Sequence, residues 1–237
     1  MVTYVARSGW TRTPRPSGLA PFVGSELRGV AVHYTGAGRL GASCTAVQSA
    51  QRLETERIFH TGPEPKGRGW KDIAYSFAVD QAGRVFELRG AAHRSAANGD
   101  EHVNRTHGAV LFLVGAQDVP SLAAIEAFVQ WRRSIWLKAW PAATAVVGHG
   151  DLHATDCPGT ALGALVRSGR WQTPLEDDMA LSDDDVDRIA ERVVDRLLAA
   201  PGNAAATATA KYVAVDTDGQ KVTITDALTR LLGRSAR

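Results

Sequence analysis

Gly148-His149-Gly150-Asp151-Leu152-His153-Ala154-Thr155-Asp156-Cys157-Pro158-Gly159 holds one of the two cysteines and two of the seven histidines of the chain. Whether this stretch is a helix or a loop decides how the rest is read. A thiol and imidazoles this close, with no second cysteine nearby, point to a metal or a nucleophile before a disulfide. As a helix, His149, His153 and Cys157 would stand four apart on one face, a self-contained ligand set. Gly148 and Gly150 weaken such a helix, and Pro158 ends it directly after the cysteine. As a loop, the stretch supplies His149 and Cys157 and needs a third ligand from elsewhere, for which His33 is the candidate. Three protein ligands leave a fourth tetrahedral position open, the arrangement of a catalytic zinc, and no further cysteine pair exists to close a structural site. Spacing favours the second set and leaves the first open.

Working outward, Gly29-Val-Ala-Val-His-Tyr-Thr-Gly36 reads as a buried strand that delivers His33 to a cleft. Residues 1–28, rich in Pro, Gly and Arg, read as an extended wrapping segment in which Trp10 caps the core. Ser43–Leu53 reads as a helix with Val47 and Ala50 on its apolar side and Cys44 buried and inert. Gly62–Gly69 is a loop by composition, with His60 before it as a groove candidate. Tyr75–Asp80 and Arg84–Arg89 form a hairpin around Asp-Gln-Ala-Gly. Residues 91–107 read as a solvated loop whose His93, His102 and His107 are surface residues. Ala109–Val114 is a central strand buried on both faces. Ser121 caps a helix reaching about Lys138, with Leu122, Ile125, Phe128, Val129 and Ile135 at helical spacing and tryptophans that pack. Ala143–Val147 is a strand leading into the Gly148–Gly159 stretch, Thr160–Val166 a short helix, and Pro174 closes the domain. Strands alternating with helices, one pair in a hairpin, predict an α/β domain with a mixed central β-sheet flanked by helices.

The sequence changes character after residue 175. Residues 1–175 carry 19 Lys and Arg against 13 Asp and Glu, whereas 176–237 carry 8 against 12, so a basic body of +6 precedes an acidic tail of −4. The basic body suits a polyanionic partner such as a cell-wall polymer. No dense Lys/Arg run or nucleic-acid module supports a nucleic-acid partner. The tail reads as a mostly helical appendage: an amphipathic helix over 176–200, started by Ser182 and the acids after it, an Ala/Thr/Gly linker over 201–210, and a hairpin-helix segment over 211–237. Its stripe of Val186, Ile189, Val193 and Leu197 must dock on something, which makes a homo-oligomer through this helix one expectation. No apolar run is long enough for a membrane span. The first ten residues lack a secretory pattern, which predicts synthesis and folding in the cytoplasm.

Three motifs carry a resemblance. Val-Ala-Val-His33-Tyr-Thr-Gly, Gly69-Trp-Lys-Asp-Ile-Ala-Tyr75-Ser-Phe-Ala-Val-Asp, and Gly148-His149-Gly-Asp-Leu-His-Ala-Thr155-Asp-Cys157-Pro-Gly together resemble the type 2 N-acetylmuramoyl-L-alanine amidases over roughly residues 5–170. That family shares its fold with the peptidoglycan recognition proteins and includes phage endolysins. The resemblance implies that His33, His149 and Cys157 hold Zn2+, that Tyr75 is the catalytic tyrosine, and that Thr155 stands near the substrate carbonyl. It implies hydrolysis of the amide between N-acetylmuramic acid and L-alanine of peptidoglycan, by a phage endolysin released through a holin pore into the wall of an actinobacterial host. The alternative it carries is a non-catalytic recognition module, but recognition proteins lack the cysteine ligand that this chain keeps. Relatives commonly have Arg after the second His, where this chain has Gly150.

Overall fold

The computed structural model describes residues 2–169 apart from 37 and 39, together with Trp171 and the backbone of 214–215 and 221–222. The chain divides into two compact units, Met1–Thr173 and Pro174–Arg237. In chain order the first contains β1 (Thr3–Val5), a 3-10 turn at Arg7–Gly9, β2 (Gly29–Tyr34), α1 (Ala46–Thr61), β3 (Phe77–Val79), β4 (Arg84–Glu87), α2 (Glu101–Thr106) and β5 (His107–Phe112). Next comes α3 (Leu122–Trp131), which runs through a π-helical turn at Arg132–Trp136 into α4 (Leu137–Ala139); β6 (Ala145–Gly148) and α5 (Thr160–Arg167) follow. Among the described residues six strands form one mixed sheet in the order β1-β4-β3-β5-β2-β6. Only the β3–β4 hairpin is antiparallel; the other neighbours are parallel.

The central strand β5 shows why the sheet is covered on both faces. Its six residues are all buried, and successive side chains point to opposite sides. Leu111 enters a cluster with Trp10, Leu53 of α1, Ile73, Ala78, Phe86 and Leu88. Phe112 faces the other way, with ring centroids 5.6 Å from Phe128 of α3 and 5.4 Å from Trp171. Local chemistry places the elements. Thr45 and Gln48 form a capping box that starts α1, worth about 1 kcal/mol. Asp80 Oδ1 accepts from the N–H groups of Ala82 and Arg84 and so builds the hairpin turn. Ser121 caps α3 through the Ala124 N–H while its own hydroxyl donates to Gln81 O at 2.6 Å, hooking the helix to that turn.

Several sequence expectations are corrected. Residues 1–28 contain a strand and a 3-10 turn, because Thr3–Val5 pairs with Arg84–Phe86. The first helix begins at Ala46 and extends to Thr61; Cys44 precedes it, and Val47 is 65% exposed because the helix turns Leu53 inward instead. Leu122 is likewise 78% exposed, being the first residue of α3, ahead of its buried face. The loop expected over 91–107 contains α2, capped by the Asp100 side chain, and His107 is buried because it opens β5. Tyr75 precedes its strand. Cys44 and Trp10 are buried and Trp131 and Trp136 pack fully, all as expected. In the second unit Ala214–Val215 pairs antiparallel with Lys221–Val222; the helix expected from Ser182, the linker and the closing helix lie outside the described residues.

One buried ion pair joins the N-terminal segment to the Gly69–Tyr75 motif. Arg7 donates from both terminal nitrogens to the two carboxylate oxygens of Asp72, each at 2.8 Å, and again to Leu88 O at 2.9 Å. Arg89, also buried, donates to Ile73 O at 2.6 Å and to Asp72 O at 3.3 Å. Two guanidinium groups thereby fix the backbone three residues before Tyr75. Asp72→Ala is expected to lower the unfolding free energy by about 3–5 kcal/mol because it strands a buried cation. Glu101→Ala, which removes the exposed partner of Arg94, should cost less than about 1 kcal/mol. Urea denaturation of both variants checks this; equal losses would show that the buried pair carries no special weight.

Candidate metal centre

The placement of the two imidazoles follows from strand register. β2 and β6 run parallel and their last pair sets Val32 opposite Gly148, so His33 and His149 each stand one residue beyond it, toward the carboxyl end of both strands. Their ring centroids are 4.5 Å apart. The loop after β6 then folds back: Gly150 N–H donates to Cys157 O at 2.6 Å, and Gly159 N–H to Asp156 O at 2.7 Å. A Cβ at Gly150 would lie 2.9 Å from the carbonyl oxygens of both Cys157 and Thr155, and one at Gly159, whose φ is +82°, 2.2 Å from Ala116 O. Close backbone approach thus requires glycine at both positions. A short 3-10 turn at His149–Asp151 replaces the helix weighed from spacing.

The loop brings Cys157 to the histidines. The donor atoms of His33, His149 and Cys157 all lie within 4.8 Å of one another, with Cys157 Sγ 3.6 Å from His33 Nδ1. Bond lengths of about 2.0 Å to nitrogen and about 2.3 Å to sulfur give a donor separation of about 3.5 Å across a tetrahedral angle, so these residues fit a zinc ion. His149 Nε2 is buried and, among the described residues, has no hydrogen-bond partner, as an atom kept for a cation should be. His153, the other candidate ligand, is exposed and stacks on His149 with centroids 5.8 Å apart.

The tautomer of His33 can be read from its neighbour. Asn98, fully buried, donates from Nδ2 to Ser95 Oγ at 3.0 Å and to His107 O at 2.8 Å. Its Oδ1 therefore faces His33 Nε2, 2.9 Å away, and that nitrogen must carry the proton. Nδ1 is left with its lone pair toward Cys157. Nothing singled out Asn98 in the sequence, where it sits in a polar stretch; its only signal is the Asn-Gly pair it forms with Gly99.

Burial lowers the pKa of His33 to about 3, and the adjacent His149 adds to this. His149 is lowered by burial and by His153. Burial pushes the Cys157 thiol up to about 11, partly opposed by a hydrogen bond from the Tyr34 main chain. The Tyr75 ring lies 5.3 Å from His33 and 5.7 Å from His60, and burial raises its phenol far above the ordinary value, with Glu56 and Cys157 adding to the rise. His60 is buried, with Trp70 stacked on it at 5.1 Å, and its pKa falls to about 4 through burial and the nearby Arg89 and Arg68. Thr155 is exposed, and its Oγ1 accepts from the Cys157 N–H at 3.3 Å. That is a turn role, but it leaves the hydroxyl proton free to donate. His93 is half-buried and bonded to Arg89 O at 3.1 Å.

Comparison with known proteins gives a consistent result. The family profile for N-acetylmuramoyl-L-alanine amidase matches residues 23–160. An N-acetylmuramoyl-L-alanine amidase from Sus scrofa is 31% identical over 159 residues, covering 64% of this chain and 26% of that protein. One from Homo sapiens is 35% identical over 103 residues, covering 43% and 18%. The chain thus spans about a quarter or less of the length of these relatives. Among solved structures, Drosophila PGRP-LB superposes with a TM-score of 0.62 at 22% identity, covering 75% of this chain and 99% of that one. Bumblebee PGRP-SA gives 0.61 at 22%, covering 73% and 99%. Peptidoglycan recognition protein LE, in complex with tracheal cytotoxin, a monomeric diaminopimelic acid-type peptidoglycan, gives 0.59 at 19%, covering 74% and 99%.

Two outcomes are expected for the metal-free protein. With its imidazoles neutral and its thiol protonated at neutral pH, zinc binding should release the thiol proton, and Cys157→Ser should release about one proton fewer; calorimetry in buffers of different ionisation enthalpy counts the difference. Asn98→Ala should weaken zinc binding about 10–100-fold, measured by competition with a chromogenic chelator. Unchanged affinity would mean that His33 needs no such support.

Proposed function

Because the chain belongs to the N-acetylmuramoyl-L-alanine amidase family, we propose that its first unit hydrolyses the amide between N-acetylmuramic acid and L-alanine in peptidoglycan, with zinc held by His33, His149 and Cys157. The observation that carries this reading is the convergence of two imidazoles and a thiol within 4.8 Å at the edge of the sheet. The family is typically zinc-dependent, and three protein donors leave room for a substrate or water. A zinc ion there supplies Lewis-acid polarisation of a carbonyl and acidifies water.

The chain's own residues supply the rest. Asn98 holds His33 in the tautomer that offers Nδ1. Tyr75, its phenol raised by burial, keeps its proton and so acts as a hydrogen-bond donor to the oxygen where negative charge develops. The Thr155 hydroxyl gives a second such bond in this reading. Burial keeps His60 and His33 neutral, so the groove meets a polar substrate without competing cations on those rings.

We place this activity in a phage endolysin that reaches the wall through a holin pore, and the Ala-, Arg- and Asp-rich composition supports a high-GC actinobacterial host. For residues 176–200 the apolar stripe supports an amphipathic helix that joins copies of the chain or tethers it to the wall. Residues 201–210 then serve as linker to the segment 211–237.

Mass spectrometry of muropeptides after digestion should show peptides with a new L-alanine amino terminus, and a chelator should abolish them. Tyr75→Phe should lower kcat about 10²–10³-fold with zinc content unchanged. A protein that only recognised the wall would bind it equally with chelator present and release no amines at all.

A further inference from the structure

Among the described residues three arginines are more than nine-tenths buried: Arg7, Arg89 and Arg132. Arg7 pairs with Asp72, and the same carboxylate acts on Arg89. Arg132 has no such partner. It opens the π-helical turn that follows α3, and its Nη2 donates to Thr144 O. Its Nε is buried and, among the described residues, has no hydrogen-bond partner; the same holds for Nη2 of Arg133, the next residue of the turn. Among the described residues no ion pair includes either arginine. Burial lowers the pKa of Arg132 and the charge of Arg133 lowers it further, with no carboxylate opposing them.

We propose that Arg132 and Arg133 form a binding site for a phosphate-class oxyanion. A buried cation without a counter-charge is costly, and here a second cation stands beside it. The unpartnered nitrogens can only donate, because a guanidinium has no acceptor. Guanidinium forks match phosphate oxygens two at a time. The diverging oxygens of a tetrahedral anion can meet two forks at once, whereas the coplanar oxygens of a carboxylate are filled by one. Turns of π-helix within α-helices are frequently found at functional sites, and this one sets the two arginines in succession. The site is separate from the metal centre. Thr144 precedes Ala145, which pairs with Gly29 of β2, and His33 lies four residues further along that strand, about 13 Å at the rise of a strand. An anion held at the amino ends of β2 and β6 thus leaves the zinc donors, toward the carboxyl ends, open. A phosphodiester-bearing polymer of the wall and free phosphate share this chemistry, and the net charge of +6 over residues 1–175 suits the polymer.

The test uses the full chain with isotopically labelled arginine, its Nε–H signals followed by NMR at constant ionic strength. Inorganic phosphate should shift the Arg132 signal saturably, and acetate should not. Arg133→Gln, at a half-buried position, should weaken phosphate binding at least about tenfold, as loss of a charge-assisted hydrogen bond implies. Arg132→Lys keeps the charge but loses the fork, and should weaken it likewise. A poly(glycerol phosphate) that moves the same signals at lower phosphate concentration assigns the site to a polymer; one that binds no tighter assigns it to free phosphate. No saturable shift with either probe, an equal response to acetate, or unchanged binding by Arg133→Gln overturns the proposal. Zinc content and cleavage of a soluble muropeptide should be the same for Arg133→Gln as for the wild type. If the wild type cleaves nothing, the amidase reading fails and the phosphate titration still decides this site.

Discussion

The pairing of Val32 with Gly148 is the constraint on which the site depends. Residues on a strand alternate between faces, so a slip of one position would carry His149 to the opposite side of the sheet from His33. The register cannot relax easily, because β2 is hydrogen-bonded on both flanks: Val32 faces Gly148 on β6 and Val110 on β5. The packing of Leu111 and Phe112 on opposite faces anchors β5 in turn. A hydrophobic core built for stability thereby sets the spacing of two nitrogen donors. The loop that adds the sulfur is closed by backbone bonds, which is why Gly150 and Gly159 carry no side chains.

Most of this fold could be read from the sequence. The apolar runs around Val30 and Val110 marked buried strands, and the turn at Asp80 and the cap at Ser121 were visible as local chemistry. The glycines and proline that spoil a helix over 148–159 pointed away from a self-contained site, although only the sheet decides the matter. Val47 and Leu122 misled because both are apolar residues in the first turn of a helix, where periodicity does not yet say which face is inward. The segment 91–107 misled because polar side chains there serve as the Asp100 cap and the buried Asn98–Ser95 pair, work that composition cannot separate from solvation. His107 looked like its neighbours and is a core residue because a strand begins at it. Asn98 and Arg7 act through contacts far along the chain, which no local pattern announces.

The electrostatics of the site have one theme. Its imidazoles are neutral through burial, its phenol keeps its proton, and burial holds its thiol protonated as well. Such a cluster is uncharged, which lets it sit at the edge of an apolar core without a counterion of its own. Buried charge close by lies in the Arg7–Asp72 pair and in Arg89, where it fixes the backbone ahead of Tyr75.

The N-terminal segment has a bearing on how such modules are exchanged between proteins. Arg7 donates to Asp72 and Leu88, its guanidinium lies 5.5 Å from the ring of Trp10, and Trp10 donates to Glu87 O at 2.6 Å. A chimaera cut to begin at β2 would keep His33, His149 and Cys157 and lose the guanidinium that meets both oxygens of Asp72. Its imidazoles and thiol could still converge, but Tyr75 would follow a backbone whose buried carboxylate had lost its bidentate partner. Seams for domain shuffling therefore belong ahead of β1, where the sheet's outer edge begins.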